Sequence, residues 1–504
     1  MSTQYCKAHF ALALAMVALL PRILERAAQA QTTPAVGTSS GAVPSATSSG
    51  VTSPPTNPFT SDWLIGNSVS DASSPQYQEV NDAITRFRNQ DISGARELLS
   101  RVREKNPKIP PVEVMMARLW AAAGQFNNVH AELEKAVMAY PNDPDAYLYF
   151  SELALAEHRV TDAESDLLQA KSLIEKISES SKRKRNFDIR LNSGLAAVAE
   201  NRNQWETALP YLKSWMDLDP DNALVHARMG RTLFELGKPK EAYNEYEAAQ
   251  KIDSKSINPY IALAGLYEQA KDHDNATKSI SYAVQKNPKD PVVQLQAARW
   301  GMATNQLNEA QKYADAALKI DPKSLDAKIL LGEIARITGD LTTAETLLEQ
   351  AVAQAPLNIE ASNQLALVLI EQNDKDKKDR AQQIAELDLR ATTQGDRANP
   401  EIAATYAWVL YKLGDTAKAE EILNKVLATG SISPDTAFYV GKILQDRGKT
   451  DVAINVLEQA LTSPAPFAQR QATAELLSQL KKEKEQKDKD KDKSGATVPS
   501  GGSK

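Results

Sequence analysis

Four stretches of equal length follow one another without a gap: ALVHARMGRTLFELGKPKEAYNEYEAAQKIDSKS (223–256), INPYIALAGLYEQAKDHDNATKSISYAVQKNPKD (257–290), PVVQLQAARWGMATNQLNEAQKYADAALKIDPKS (291–324) and LDAKILLGEIARITGDLTTAETLLEQAVAQAPLN (325–358). Aligned on one another, they keep the eighth position small (Gly230, Ala264, Ala298, Gly332). The twentieth is alanine throughout (Ala242, Ala276, Ala310, Ala344), and so is the twenty-seventh (Ala249, Ala283, Ala317, Ala351). Proline closes three of the four at position 32 (Pro288, Pro322, Pro356), with Ser254 in the first. Small residues at positions 8 and 20 let two helices approach closely, ridge into groove. The larger residue at position 24 (Tyr246, Ile280, Leu348) fills the remaining gap. Proline then stops the second helix before the next unit begins. Each such hairpin leaves an apolar face uncovered, so the units must stack.

The register extends both ways. Upstream, units begin near 76, 110 and 144, marked by Ala95, Pro107, Ala136, Pro141, Ala163 and Ala170. An excess near 176–188, containing SESSKRKRNFD, precedes a unit that ends at Asp219-Pro220. Its KRKR run (182–185) reads as an exposed insertion loop. Downstream, the unit from 359 carries the charged insertion QNDKDKKDR (372–380), and two more begin near 400 and 434. That makes about eleven units, closed by the amphipathic stretch FAQRQATAELLSQLKK (467–482), which has the polar-faced pattern of a capping helix.

This pattern resembles the tetratricopeptide repeat (TPR), position by position, over most of residues 76–480. The resemblance implies an all-α fold, a right-handed superhelical α-solenoid of about eleven TPR helix-turn-helix repeats with a C-terminal capping helix. A narrower resemblance joins ATYAWVLYKLGDTAKAEEILNKVL (404–427) and PAPFAQRQATAELLSQL (464–480) to bacterial exported TPR proteins of exopolysaccharide/PEP-CTERM-type envelope systems. In that family the repeats recruit or scaffold envelope machinery. Many of its members are lipoproteins, whereas this chain has no cysteine after its apolar run.

The flanks read differently. Lys7 precedes the apolar run AHFALALAMVALL (8–20), and Ala28-Gln29-Ala30 supplies a small-residue cleavage pattern, so 1–30 is expected to be a signal peptide cleaved near Ala30. Arg22, Glu25 and Arg26 between them are unusual there. The run is too short to span a bilayer comfortably, so no transmembrane span is expected in the mature chain. Residues 31–75 begin with a Ser/Thr/Pro/Gly-rich stretch and are expected to form a disordered tether. The array occupies 76–465, as three repeats (76–175), five (189–358) and three (359–465). A capping helix follows over 466–482, and residues 483–504, rich in alternating charge, are expected to be a disordered tail.

A formal net charge of −6 argues against nucleic acid as a partner, because duplex binding needs a basic footprint. The single cysteine, Cys6, lies in the leader, so a mature chain has no thiolate nucleophile, disulfide or cysteine metal site. His130, His158, His226 and His273 fall at different repeat positions, and no HExxH, GxSxG, GxGxxG or P-loop sequence is present. No cofactor, metal or catalytic residue is therefore expected, and the chain reads as a non-enzyme.

Binding is the remaining chemistry. In stacked pairs of this kind the first helices line a concave face, and repeat positions 2, 5, 9 and 12 point into it. The middle of the array is its most basic part and carries Arg190, Arg228, Arg231 and Arg299, with Asn258 and Gln296 between them. Arginine forks match the carboxylates of an extended peptide. The Lys/Asn set with which some TPR domains clamp a C-terminal carboxylate is missing. Trp408 at position 9 is the surface candidate among the tryptophans; Trp120 and Trp215 sit at core positions. The expected function is a protein–protein interaction scaffold of the bacterial cell envelope, periplasmic or surface-associated, that holds partner peptides or helices. The alternative is a cytoplasmic adaptor or co-chaperone that is not exported.

Overall fold

In a computed structural model the described residues are 60–65, 75–178, 182–393, 399–428, 432–463 and 466–495. The expected signal peptide, most of the tether and the stretch 496–504 lie outside them. All the regular structure among the described residues is helical. A short helix α1 (Ser61–Ile65) precedes eleven consecutive helix pairs. The first five pairs are α2 (Pro75–Arg88) with α3 (Ile92–Lys105), α4 (Val112–Ala122) with α5 (Phe126–Ala139), α6 (Asp145–Ala156) with α7 (Val160–Ile174), α8 (Lys182–Asn201) with α9 (Trp205–Leu218), and α10 (Ala223–Glu235) with α11 (Pro239–Ile252). Next come α12 (Pro259–Gln269) and α13 (His273–Lys286). The last five are α14 (Pro291–Ala303) with α15 (Leu307–Ile320), α16 (Leu325–Thr338) with α17 (Leu341–Gln354), α18 (Ile359–Ile370) with α19 (Lys375–Thr392), α20 (Pro400–Lys412) with α21 (Thr416–Leu427), and α22 (Pro434–Asp446) with α23 (Thr450–Thr462). The final helix is α24 (Arg470–Gly495). The chain divides into two compact units between Tyr267 and Glu268, inside α12.

Within each unit the repeat pattern explains the packing. Ala242, Ala310 and Ala344 at position 20 are fully buried, as are Ala317 and Ala351 at position 27. Where position 8 is glycine, the helices meet so closely that a β-carbon has no room. At Gly332 it would lie 2.7 Å from Leu348 Cγ, and at Gly441 2.5 Å from Leu457 Cδ2. Positions 8 and 24 are thus complementary in size, and added volume at either costs roughly 1–3 kcal/mol. In both units first helices touch first helices along the stack: α6 with α8, α14 with α16, α16 with α18, α18 with α20, and α20 with α22. The first helices therefore form the inner layer.

Three sequence expectations change. The excess at 176–188 is mostly not a loop: Lys182–Arg185 open the 20-residue helix α8. Arg183 bonds both oxygens of Asp143 at 2.7–2.8 Å, and Arg185 donates to the carbonyl of Leu218. The insertion at 372–380 likewise lengthens a helix, α19, whose Lys377 and Arg380 reach Glu345 and Glu349 on α17 at 2.6 Å. In both places charged side chains find partners on the preceding repeat, so the extra residues prolong helices within the stack. At the ends, α1 packs Leu64 and Ile65 out of solvent where tether was expected. Helix α24 runs to Gly495, past residue 482, where a tail was expected. Buried Leu476 and Leu480 seat it, and Lys481 and Lys484 pair with Glu458 and Asp451 on α23 at 2.7 Å.

The turn inside each pair carries a second signal at the repeat period. Left-handed backbone recurs at Gln90, Gly124 and His158, again at Asn203, Gly237, Lys271, Asn305 and Gly339, and finally at Gly414 and Gly448. The spacing is constant within each series, and it breaks only across the two insertions. A residue with a β-carbon costs about 1–2 kcal/mol in this conformation, which glycine avoids. We therefore expect His158→Gly and Asn305→Gly each to raise the urea midpoint, by about 1 kcal/mol in stability. Gly339→Ala should lower it by a similar amount, and equilibrium unfolding followed by circular dichroism reads all three.

Candidate functional site

The inner layer is governed by one recurring contact. An arginine at position 9 of one repeat reaches an aspartate at position 2 of the next. Arg118 on α4 meets Asp145 at the start of α6 at 3.2 Å, and Arg299 on α14 meets Asp326 on α16 at the same distance. The geometry follows from the stack, since the C-terminal half of one first helix lies beside the N-terminus of the next. A carboxylate at that N-terminus is also favoured by the helix dipole.

Asp145 is the most committed of these groups. It is 2% exposed, and Arg183 and Arg190 of α8 join Arg118 around it, at 3.5 and 2.5 Å. Burial alone would raise its pKa, but the three guanidinium groups overcome this and hold the carboxyl far below its usual range. Arg190 also bonds Glu152 at 2.6 Å. Of the sequence candidates, Arg190 is therefore a link between α6 and α8. Arg228 is equally occupied: it bonds both oxygens of Glu200 at 3.1 Å, reaches Ser193, and lies 5.3 Å over the ring of buried Trp215. Arg299 is held by Asp326.

Arg231 differs. Its position-2 counterpart in the next repeat is Asn258, which is buried and uses its side-chain oxygen to cap α12 at the Tyr260 amide. Among the described residues Arg231 makes no ion pair, and its Nε is buried without a hydrogen-bond partner. Its guanidinium lies 5.4 Å over Trp205. One helix turn on, Phe234 meets Tyr267 edge-on at 4.9 Å. Gln296, in the other unit, has a buried Oε1 without a partner.

Trp408 is not at the surface. It is 4% exposed, stacked 4.5 Å from Tyr439 and 5.2 Å from Tyr411, and its indole donates to Glu371 at 2.8 Å. It occupies position 9 in place of an arginine, so Asp435, its position-2 counterpart, lacks that partner. Arg336 supplies the cation instead. This buried side chain on α16 donates to Gln364 at 3.0 Å and to Asp435 on α22 at 3.4 Å, three repeats away. The register fails in a third way at Glu333 and Glu360, where two acids stand at positions 9 and 2. Desolvation by the surrounding helices raises the pKa of half-buried Glu333 and of the more exposed Glu360; for Glu333 the neighbouring Arg336 opposes this and Glu360 adds to it, while for Glu360 Arg299 opposes and Asp326 adds. Sequence reasoning misses this pairing rule, although the common spacing of Arg118–Asp145 and Arg299–Asp326 is visible in the chain.

Elsewhere the histidines are engaged locally: His226 lies 2.6 Å from Glu245 and His273 2.6 Å from Glu268. Among the described residues no group of three His, Cys, Asp or Glu side chains stands ready to hold a metal ion. Among them, too, no helix is long and apolar enough to cross a membrane.

Comparison with known proteins agrees with this architecture. Two family models, each described as tetratricopeptide repeat, match residues 199–266 and 297–359. Protein O-mannosyl-transferase TMTC1 of Homo sapiens is 26% identical over 32% of this chain and 19% of its own length. TPR repeat-containing protein YpiA of Bacillus subtilis is 22% identical over 46% of this chain and 52% of its own. Cellulose synthase operon protein C of Pseudomonas fluorescens is 22% identical over 72% of this chain and 30% of its own. The chain thus spans from about a fifth to about half of the length of these relatives.

Two outcomes follow from the pairing rule. Asp145→Asn should cost about 3–5 kcal/mol, since it leaves three arginines around a buried neutral group. Urea unfolding at neutral pH reads the loss, which should shrink below the ordinary aspartate range, where the native carboxylate's advantage is itself lost. Glu333→Gln should do the opposite. A carboxyl whose folded pKa lies above its unfolded value favours folding only while protonated, and that advantage disappears as pH rises through the folded value. The variant should therefore unfold at higher urea than the parent at pH 7.5, and at the same urea near pH 4.

Proposed function

We propose that this tetratricopeptide-repeat protein is a non-catalytic interaction scaffold of the bacterial cell envelope, exported and holding partner peptides or helices against its first-helix layer. The protein-interaction role comes with the repeats themselves. The envelope setting is supported by the export-type leader read from 1–30 and by the likeness to cellulose synthase operon protein C. The transferase named among the relatives shares only 19% of its length with this chain, so its activity is not carried over.

The observation that carries the reading is Arg231. An arginine with no carboxylate at its register position keeps a full charge on offer, and Trp205 beneath it gives a flat platform. A partner carboxylate would complete the pair that Arg118 and Arg299 complete internally, and charged contacts of this kind fix orientation and register. The aromatic pair Phe234–Tyr267 belongs to the same layer and would meet the adjoining side chains, while buried Asn258 holds the start of α12 in place.

Two measurements test this. Fractionation of cells carrying a C-terminally tagged chain should place it in the periplasmic or envelope fraction, cleaved near Ala30; a full-length cytoplasmic product would sink the envelope setting. Affinity capture with the full chain should lose its partners at least tenfold with Arg231→Glu. Lys251→Glu, the same charge change at an exposed site on α11, should leave capture intact. Equal capture by both variants would mean that Arg231 is not part of the binding surface.

A further inference from the structure

We propose that Arg336 and Asp435 form a latch that holds the inner layer of the C-terminal unit closed, and that the unit opens when the latch is broken. Most inner-layer ion pairs in this chain join a repeat to the next. This one spans 99 residues and passes over the repeats of α18 and α20 to join α16 to α22. It therefore fixes how tightly four successive first helices curl, a quantity that neighbour-to-neighbour packing sets only cumulatively.

Three features mark the contact as a latch, separate from the core packing. It is reached from solvent, since the Asp435 side chain is 20% exposed while Arg336 is 6% exposed. It is imperfect, because its distance is 3.4 Å and the second oxygen of Asp435 is buried without a partner. And it closes beside an acid: the half-buried Glu333 has no cation in hydrogen-bond contact, burial and Glu360 oppose its charge, and Arg336 and Arg299 favour it. Opening would bring the half-buried Glu333 further into water, so the closed arrangement is favoured by Arg336, which neutralises Asp435 and, with Arg299, faces Glu333. Beneath the latch, Arg336 also holds Gln364, and Tyr439 and Trp408 stack on the same inner layer. A closed inner layer leaves a partner little entry here, so the latch would decide whether the C-terminal repeats take part in binding. The inference does not require Arg231 to be the docking point, and each can fail alone.

The test uses the full-length chain with its single cysteine, Cys6, changed to serine and spin labels at Thr338→Cys and Lys449→Cys, exposed sites at the end of α16 and just past α22. Pulsed dipolar spectroscopy reads the distance between them. Asp435→Ala and Arg336→Met should each shift the distribution to longer distances by more than its parental width. The double variant should add nothing further, as expected for two ends of one contact. Raising ionic strength should shift the parent in the same direction, because the exposed end of the pair is screened. Circular dichroism guards against unfolding: a variant that keeps parental helicity and still shows the parental distance overturns the latch. If Arg336→Met fails to fold, Asp435→Ala and the salt series alone decide, and an unchanged distance in both refutes it.

Discussion

Two helices can approach only as closely as their smallest facing side chains allow, and this limit sets everything else in the stack. In the four central repeats positions 8, 20 and 27 are all glycine or alanine, so the axes come close enough that Gly332 has no space for a β-carbon beside Leu348. The short approach leaves each hairpin thin, with apolar side chains projecting from both faces. A thin hairpin has no core of its own. It becomes stable only between neighbours, which is why the buried residues form a series of clusters along the chain and why both ends need a cover. Helix α1 and the start of α24 supply those covers.

Close packing has an electrostatic consequence. Because the repeats stack at a regular offset, position 9 of one first helix meets position 2 of the next, as Arg118 meets Asp145, Glu152 meets Arg190 and Arg299 meets Asp326. The fold offers the same slot repeatedly and fills it differently. Arg118–Asp145 and Arg299–Asp326 fill it with a pair, Arg231 and Asn258 leave a cation over, Glu333 and Glu360 leave two acids, and Trp408 leaves Asp435 to be taken up by Arg336. The paired slots stiffen the joint between repeats. The unpaired ones carry charge that the stack itself does not neutralise, and a solvent-facing layer with such groups is where a partner gains most from supplying the missing half.

How far these features can be read in the sequence depends on how local they are. The helix pairs are legible because small residues recurring at one fixed period have one packing explanation. The caps and turns are half legible: Gly237, Gly339 and Gly414 betray their left-handed backbone, but His158 and Lys271 adopt it without any signature in residue type. The first insertion misleads because the KRKR run suggests a solvated loop, and at the second only the preceding repeat shows that Lys377 and Arg380 have acids waiting on α17. Repeat position is enough to nominate inner-face candidates, yet their availability depends on what the facing position of the neighbouring repeat carries. Arg190 and Arg228 are occupied by acids on a neighbouring first helix, and Trp408 is buried by Tyr439, contacts that composition and position alone do not reveal.

Arg336 shows where that dependence leads. Nothing in its own repeat distinguishes it, since position 12 carries many residue types and its register partner is the neutral Gln364. Its importance comes from a vacancy two repeats further on, where tryptophan stands at position 9 and leaves Asp435 without a cation. A repeat protein built only of nearest-neighbour contacts would bend like a chain of equal springs. One contact that skips two repeats breaks that independence, because a change at α22 is then felt at α16 directly. The C-terminal unit should accordingly respond to loss of a single carboxylate as a block, while the unit bearing Asp145, whose ion pairs among the described residues lie within a repeat or between adjacent ones, should yield repeat by repeat.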